Sequence, residues 1–264
     1  MLVRHRRIAT ASHAAVRLAL NPMRIAVISD IHANLHALEA VLTDVDAAKV
    51  DEIWCLGDLV GYGPRPNECV ALVKDRATLC LVGNHDLAVL GQIDLATFAG
   101  EAGEAARWTA TVLDEASAAY LGTLSPAGKA EGVTLAHGSP RDPVWEYVLN
   151  AAAAAAALAA TEDPLVLVGH SHVALAIASS EGALTGGQAP GGIEVDLAAA
   201  QHLLNPGSVG QPRDDDPRAA WLVIDTASRR ATFRRTEYPI EQTQAEMRER
   251  GLPLALAERL THGA

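Results

Sequence analysis

Residues 24–32 read RIAVISDIH, and this stretch decides the fold. The apolar run at residues 24–29 is typical of a strand that is buried on both faces. Residues 35–50 follow as a predicted amphipathic helix, with Asn34 placed to cap its N-terminus. The apolar side chains of this helix recur at helical spacing: Leu35, Leu38, Val41, Leu42 and Val45. A buried strand followed at once by such a helix predicts an α/β domain with a parallel sheet.

The strand–helix rhythm continues through residues 52–82, with strands predicted at 52–56 and 78–82 and a helix at 66–74. Further strands are predicted at 133–136, 165–168, 174–178, 219–225 and 231–237, and the tail from residue 240 is predicted to be helical. Crossover helices join the early strands and hairpins join the late ones. We therefore expect one mixed sheet or two sheets packed together.

Three segments between these strands have weaker patterns. Residues 86–121 are predicted to form two helices that separate near residues 100–103. Residues 144–160 are predicted to form one helix, because the alanine run at 151–157 has the highest helix propensity available. The glycine-rich residues 182–192 are interpreted as a hairpin connection and not as a phosphate cradle, because no GK[ST] sequence follows.

The composition excludes several classes of protein. Of 264 residues, 49% are hydrophobic and 20% are charged, which suits a single globular domain over residues 23–264. A formal net charge of -11 repels phosphate backbones, so a long duplex nucleic acid is not an expected partner. The sequence contains no run of eighteen apolar residues, so no membrane span is predicted. Three cysteines at unrelated spacings favour a reducing cytoplasm over a disulfide framework.

Residues 1–22 differ from the rest of the chain, since they contain Arg4, Arg6, Arg7 and Arg17 and no acidic residue. A basic start can be a targeting segment, but polar residues interrupt its apolar side chains and leave no signal-peptide core. We expect a disordered extension or a start assigned too early, because Met23 immediately precedes the first predicted strand.

Five short polar clusters lie just past the ends of predicted strands. They are DIH at 30–32, GD at 57–58, GNHD at 83–86, H at 137 and GHSH at 169–172. A lone histidine or a lone GD is more often structural than functional. Ligand sites in open α/β sheets form at the carboxyl ends of the strands, so five such clusters are expected to converge in space.

Nine polar side chains would meet at that edge. They are Asp30, His32, Asp58, Asn84, His85, Asp86, His137, His170 and His172. Carboxylate, imidazole and amide groups together suit Mn, Fe, Co, Ni or Zn, and the number is too large for one ion. Burying these groups uncompensated would be costly, whereas two cations would satisfy them. The sequence therefore predicts a dinuclear metal site.

The local spacings predict how these side chains are aimed. Asp30 and His32 would point to one side of a strand, because side chains alternate with period two. The glycines before Asp58, Asn84 and His170 would permit tight turns. Asp58 is the expected bridging ligand, because each of its two carboxylate oxygens can serve one ion.

The series DxH, GDxxGYGP, GNHD, HGSP, GHSH and NPGSVGQPR resembles the calcineurin-like metallophosphoesterase family, in particular its small bacterial branch without a separate cap domain. The likeness extends from Met23 to about Asp225, and the blocks occur in the family's order. GHSH in place of the commoner GHTH is a departure that spares both histidines. The resemblance implies a four-layer α/β/β/α sandwich in which two mixed sheets are flanked by helices.

The resemblance also implies roles for the converging side chains. One ion would be held by Asp30, His32, Asp58 and His172. The other would be held by Asp58, Asn84, His137 and His170. His85 would then act as a general acid or transition-state donor, with Asp86 orienting its imidazole and Asn84 also bonding a phosphoryl oxygen.

The function that these roles imply is metal-dependent hydrolysis of a phosphodiester or another phosphate ester. Two ions would share a bridging hydroxide, and His85 would protonate the leaving group. Mn is the metal expected to serve in an assay, the expected partner is a small phosphorylated substrate, and no membrane partner is expected. Two alternatives stay open: a phosphomonoesterase acting on phosphoproteins or nucleotides, and a non-catalytic interaction module on the same fold.

Several residues near these blocks have two interpretations. The loop at residues 205–210 either borders the site or is only a turn. Arg213 and Arg218 are interpreted as surface partners of residues 214–216 in preference to phosphate ligands. Tyr62 and Trp145 are interpreted as packing residues in preference to the lining of a substrate pocket.

Overall fold

The computed structural model describes residues 22–130 and 132–264. The predicted extension at residues 1–22 therefore lies outside the described residues except for Pro22. Within the described ranges, the first sheet contains β1 (Arg24–Ile28), β2 (Glu52–Cys55), β3 (Leu79–Cys80), β9 (Glu194–Asp196), β11 (Ala219–Asp225) and β12 (Arg230–Thr236). The second contains β4 (Ala127–Ala130), β5 (Val133–Ala136), β6 (Leu165–Val168), β7 (Leu175–Ser180), β8 (Ala183–Gln188) and β10 (Gln201–Asn205).

Both sheets are mixed, as expected. The first has the order β3-β2-β1-β11-β12-β9, in which β1 is parallel to β2 and antiparallel to β11. The second has the order β4-β5-β6-β10-β7-β8, in which β6 is parallel to both β5 and β10. In the first sheet the parallel strands β3, β2 and β1 form one side and β11, β12 and β9 add antiparallel on the other. In the second sheet the parallel strands β5, β6 and β10 are central and are flanked by antiparallel strands.

Helices of the described residues flank both sheets. They are α1 (Leu35–Ala48), α2 (Pro66–Arg76), α3 (Asn84–Val89), α4 (Gly100–Val112), α5 (Glu115–Leu121), α6 (Ala151–Ala159), α7 (Ile240–Glu249) and α8 (Leu254–Glu258), with 3-10 turns at Leu95–Thr97 and Arg259–Thr261. Asn34 caps α1 as predicted, since its side chain accepts a hydrogen bond from the amide of Ala37 at 3.2 Å.

Strand β1 shows how the four layers arise. Its Ile25 and Val27 side chains pack between the two sheets, against residues such as Leu135 and Leu167. The alternate residues Ala26 and Ile28 face the other way and pack against α1. On the far side of the second sheet, Val166 and Leu203 pack against α6. The strands are apolar on both faces because a layer of protein covers each face, which confirms the four-layer sandwich.

Three element predictions need correction. Helix α6 begins only at Ala151, because Asn150 caps it by accepting from the amide of Ala153 at 2.9 Å. Residues 144–150 are therefore irregular. Helix α4 begins at Gly100 and passes through Gly103. Residues 86–121 therefore hold parts of three helices and not two, because α3 ends at Val89 and a further break precedes Asp114, which caps α5.

The glycine-rich segment was also predicted incorrectly in part. Residues 183–188 form the edge strand β8, paired with β7 from Leu175↔Gln188 to Ser180↔Ala183. Only Glu181 and Gly182 turn the chain between them, both with positive φ. Pairing with β7 offsets the low strand propensity of the glycines. Within the described ranges, every helix is too short or too polar to cross a bilayer.

The loop after β10 of the second sheet links the two sheets, because it hydrogen-bonds to the residues that follow β1 of the first sheet. The hydroxyl of Ser208 donates to the carbonyl of Asp30 at 2.7 Å, and the amide of Gly210 donates to the same oxygen at 3.0 Å. A Cβ on Gly210 would lie 1.8 Å from the carbonyl oxygen of Ile31, which leaves no room for a side chain.

We expect Gly210→Ala to lower the free energy of unfolding by roughly 1–3 kcal/mol, since the added methyl must push two loops apart. Gly187→Ala is the matched control, because its Cβ would have no described heavy atom within 4 Å. Chemical denaturation measures both. Equal midpoints for the two variants would contradict the tight fit at Gly210.

Candidate metal centre

The carboxyl ends of β1, β2, β5 and β6 lie at one edge of the sandwich and bring the predicted ligand side chains together. Asp58 follows β2, His137 follows β5 directly, and Asn84 opens α3 after β3. None of the seven predicted ligands is more than 3% exposed: Asp30, His32, Asp58, Asn84, His137, His170 and His172. The expected convergence is therefore present in the fold.

The backbone at this edge is left-handed, not extended. β1 ends at Ile28, and Asp30 and His32 have φ values of 53° and 49°. Asp58, His170 and His172 also have positive φ, between 53° and 63°. The expectation that Asp30 and His32 point to one side because they lie in a strand was wrong in its reason, although both belong to the same ligand group. Such conformations cost about 1–3 kcal/mol each and persist where surrounding contacts impose them.

Of the glycines at 57, 83 and 169, only Gly57 is needed for its backbone conformation, whereas at Gly83 and Gly169 there is no room for a side chain. Gly57 has φ +99°, so its role in the turn is as predicted. Gly83 has an ordinary φ of -104°, but a Cβ there would lie 2.0 Å from Oδ1 of Asp58. A Cβ on Gly169 would lie 2.2 Å from the Ser29 hydroxyl. The backbone of one cluster packs directly against the ligands of another.

The first group of candidate ligands is Asp30, His32, Asp58 and His172, whose ligand atoms lie within 4.8 Å of one another. The Nδ1 atoms of His32 and His172 lie 3.0 and 2.6 Å from the backbone carbonyls of Val60 and Gln211. A carbonyl only accepts, so each Nδ1 carries the proton. Both Nε2 atoms then present lone pairs, and they face each other at 3.0 Å.

The second group is Asp58, His137 and His170. Nδ1 of His137 lies 2.9 Å from the carbonyl of Leu56, which again leaves Nε2 facing the site. That Nε2 atom lies 3.3 Å from Oδ2 of Asp58 and 3.1 Å from Oδ1 of Asn84, so the amide belongs to this group. The division into two groups that share Asp58 follows the one implied by the family resemblance.

Asp58 connects the groups through one oxygen. Its Oδ1 accepts from the amide of His85 at 2.9 Å. Its Oδ2 has no hydrogen-bond partner among the described residues and lies 3.6 Å from Nε2 of His32. The expectation that each oxygen serves one ion is therefore refined, since Oδ2 alone faces both groups. Burial opposes the charge, but His137 and His85 outweigh it and hold the pKa of Asp58 well below its usual range.

The two groups fit divalent cations. Lone pairs on imidazole nitrogens and carboxylate oxygens converge there. Burial opposes charge on His137, but Asp58 raises the pKa of His137 to about 9, so without a metal ion a proton on its Nε2 takes the place of a cation between Asp58 and Asn84. Nε2 of His170, like Oδ2 of Asp58, has no described partner. Burial raises the pKa of Asp30 to about 7 and lowers that of His170 to about 3, so burial without a cation disfavours charge on both groups. Histidines that donate Nδ1–H to carbonyls are typical of metal ligands, and the donor set suits borderline transition metals.

The structure gives Asp86 different partners from those predicted. Its Oδ1 accepts from the amide of Val60 and its Oδ2 from the amide of Gly83, each at 3.0 Å. Asp86 thus fixes two loops, whereas Nδ1 of His85 has no hydrogen-bond partner among the described residues. His85 is held instead by ring contacts with Tyr62 and Phe98, at 4.4 and 4.7 Å between centroids.

Arg213 also lies at the centre, contrary to its interpretation as a surface partner of acidic residues. Its Nη2 donates to Oε1 of Gln211 at 2.9 Å and to the Tyr62 hydroxyl at 3.3 Å. Arg218, in contrast, bonds Asp216 as expected. Tyr62 contacts His32 at 4.5 Å, so it is part of the site wall as well as of the packing.

The loop at residues 205–210 borders the site and supports it. The Asn205 amide donates to the carbonyl of Gly169 at 2.7 Å and to the Ser171 hydroxyl at 3.0 Å. The loop therefore holds the backbone of the GHSH cluster, while its Ser208 holds that of Asp30. The loop therefore both borders the site and has a structural role, so the two interpretations left open by the sequence are each correct in part.

The calcineurin-like phosphoesterase superfamily domain matches residues 23–229. The chain belongs to this superfamily. It is a phosphoesterase hydrolase, which confirms the expected family and enzyme class. This phosphoesterase is 45% identical to a metallophosphoesterase from Sphaerobacter thermophilus, whose crystal structure matches with a TM-score of 0.83 and covers 92% of this chain and 100% of that one.

Two curated relatives differ in how much they share with this phosphoesterase. An uncharacterized protein of Methanocaldococcus jannaschii is 38% identical over 249 residues, which is 90% of this chain and 98% of the relative. A symmetrical bis(5'-nucleosyl)-tetraphosphatase of Actinobacillus pleuropneumoniae is 36% identical over 70 residues, only 25% of this chain and 26% of that enzyme.

We expect Mn²⁺ to raise the melting temperature of the chelator-treated phosphoesterase by about 5–10 °C at a hundredfold excess over its dissociation constant. Asp58→Asn should lose most of this rise, because it removes the charge shared by both groups. The matched control is Asp215→Asn, an exposed position whose left-handed backbone (φ 62°) asparagine tolerates. Calorimetry with and without metal measures the shift, and an undiminished rise in Asp58→Asn would contradict this site.

Proposed function

We propose that this phosphoesterase uses two divalent ions to hydrolyse a phosphodiester in a small phosphorylated substrate. The single observation that carries the proposal is the pair of ligand groups that share Oδ2 of Asp58. Two ions there would neutralise the phosphoryl group and supply a hydroxide nucleophile at neutral pH. Asp30, His32 and His172 would hold one ion, and Asn84, His137 and His170 the other, with Asp58 common to both.

We propose that His85 assists the departure of the leaving group. Its imidazole is buried beside both ligand groups, 4.9 Å from the ring of His32. Burial lowers the pKa of His85 to about 4, so the neutral form is present at pH 7. The N–H of this neutral imidazole can donate to the leaving oxygen as negative charge develops on it.

Arg213 is suited to orient the phosphoryl group. Its Nε atom has no hydrogen-bond partner among the described residues, while Nη2 is held by Gln211 and Tyr62. A guanidinium fixed on one side can present its remaining donors to a phosphate oxygen. This local positive charge favours an anionic substrate at the site despite the chain's net charge of -11.

The partial likeness to symmetrical bis(5'-nucleosyl)-tetraphosphatases supports phosphodiester or phosphoanhydride substrates. A phosphomonoesterase remains the alternative, because the same side chains can bind either ester. The non-catalytic alternative is disfavoured by the completeness of both ligand groups and by the presence of His85. We further propose Mn²⁺ as the assay metal and a reducing, cytoplasmic location, which the burial of Cys55 and Cys69 as free thiols supports.

We expect the metal-stripped enzyme to regain hydrolysis of bis(p-nitrophenyl) phosphate when Mn²⁺ or Ni²⁺ is added, and to act more weakly on p-nitrophenyl phosphate. Release of p-nitrophenol measures both rates under the same conditions. Faster hydrolysis of the monoester would favour the phosphomonoesterase, and no hydrolysis of either ester would contradict the enzymatic proposal.

We expect His85→Asn to keep the Mn²⁺-induced rise in melting temperature and to lose about 10²–10³-fold in kcat, the usual loss when one hydrogen-bond donor to the transition state is removed. His262→Asn is the control, because His262 is exposed near the C-terminus. Unchanged kcat in His85→Asn would contradict its role, whereas loss of metal binding would show that His85 holds the ligands instead.

A further inference from the structure

Exposed apolar side chains concentrate beside the candidate metal centre. The described residues expose six large hydrophobic side chains: Val112, Trp145, Tyr147, Leu149, Ile193 and Leu254. Three of the six, Trp145, Tyr147 and Leu149, lie in the irregular segment 141–150. Two of these three are aromatic, although aromatic residues make up only 4% of the chain. Such a patch beside a polar site indicates a binding surface more than a packing defect.

Tyr147 joins this patch to the metal centre. Its ring lies flat on that of His170, with 3.9 Å between centroids and 16° between planes. Because Tyr147 is still 46% exposed, the ring face away from His170 is open. A planar group lying on that face would be separated from a candidate metal ligand by one aromatic ring.

Trp145 extends the aromatic surface toward His85. Its ring lies 5.8 Å from that of Phe98, which in turn packs edge-on to His85 at 4.7 Å. Trp145 is 40% exposed. The two aromatic rings of the segment thus reach the two sides of the centre, Tyr147 at the ligand His170 and Trp145 toward the proposed leaving-group donor.

The segment that carries them is held firmly. Glu146, which lies between the two aromatic residues, hydrogen-bonds both Ser139 and Arg141. Asp142 accepts from the amides of Val144 and Trp145 at 3.2 and 3.1 Å. An aromatic surface fixed in advance loses little conformational entropy when a ligand stacks on it.

We propose that Trp145 and Tyr147 form a stacking subsite for a planar aromatic group of the substrate, such as a nucleobase. The proposal rests on the proposed function, since a phosphoryl group held between the ligand groups and Arg213 brings the rest of the substrate to this segment. Stacking on an open aromatic face is tolerant of base identity, so the subsite selects nucleotides as a class.

A cavity of about 320 Å³ lies beyond the same segment and offers another place for an apolar group. It is lined by Val148, Leu149, Leu175, Ile177 and Leu184, among others. It takes its lining from the residues after Tyr147 and from the hairpin of β7 and β8. Leu149 lines this cavity, whereas Trp145 and Tyr147 do not, so a substitution at Leu149 tests the cavity separately from the aromatic surface.

The experiment compares the binding of AMP and ribose 5-phosphate to the full-length Mn²⁺-loaded protein by calorimetry. The two ligands share the phosphate and ribose and differ only in the base. We expect AMP to bind about 5- to 150-fold more tightly, and Trp145→Ala and Tyr147→Ala to lose most of this preference. Trp145→Phe and Tyr147→Phe should retain it, because they keep an aromatic face.

Quenching of tryptophan fluorescence provides a readout that does not depend on turnover or metal. Adenosine should quench the wild-type protein, and Trp145→Phe should lose that quenching, because Trp54 and Trp221 are buried and Trp108 packs against the cluster that contains Met247 and Leu256. Adenosine carries no phosphate, so failure of the proposed hydrolysis leaves this measurement readable and distinguishes the two proposals.

Equal affinity for AMP and ribose 5-phosphate would overturn the subsite. So would a preference that disappears in Leu149→Ala and survives in Tyr147→Ala, which would place the base in the cavity. If Tyr147→Ala lowers only the melting temperature or the metal content and leaves the AMP preference intact, Tyr147 merely covers His170, and the proposal fails.

Discussion

The rest of the structure depends on one buried carboxylate. Asp58 is 1% exposed, its Oδ1 is held by the amide of His85, and its Oδ2 faces histidines from both ligand groups. Burial of a charge without compensation costs several kcal/mol. The imidazoles of His32 and His137 are held by backbone carbonyls with their Nε2 atoms toward Oδ2. This arrangement fits divalent cations, and the glycines and loops around it pack against the ligand side chains.

The two sheets serve the site by bringing four strand ends to one edge. The left-handed residues there are held by hydrogen bonds from distant parts of the chain: the amides of Ile31 and His32 donate to the carbonyl of Asp58, and the loop after β10 grips Asp30 from the other side. These hydrogen bonds offset the cost of the left-handed conformations. Asp86 belongs to the same framework, since its carboxylate joins the turn at Gly83 to the loop after β2.

Three different kinds of side chain surround the ligand groups. Arg213 places a positive charge beside the first ligand group, whereas His85 packs against the rings of Tyr62 and Phe98. The segment at 141–150 adds open aromatic faces on the solvent side. In the proposed mechanism, charge neutralisation, hydrogen bonding to the leaving group and contact with the rest of the substrate would come from separate parts of the chain. Arg213 and the segment at 141–150 are held by hydrogen bonds, and His85 is held by ring contacts.

The sequence by itself determined the candidate ligands and eight of the twelve described strands, and it missed β4, β8, β9 and β10. Apolar runs such as residues 25–28 read as buried strands because both of their faces are covered, and polar residues just past the strand ends must meet at the edge of a sheet. Only the tertiary structure decided how these residues are aimed. The left-handed backbone of Asp30 is held by long-range contacts. The bond from the Val60 amide to Asp86, the contact of Arg213 with Tyr62 and that of Tyr147 with His170 also join segments far apart in the chain. Local patterns encode which side chains are buried, whereas long-range packing selects the partner and the conformation of each one.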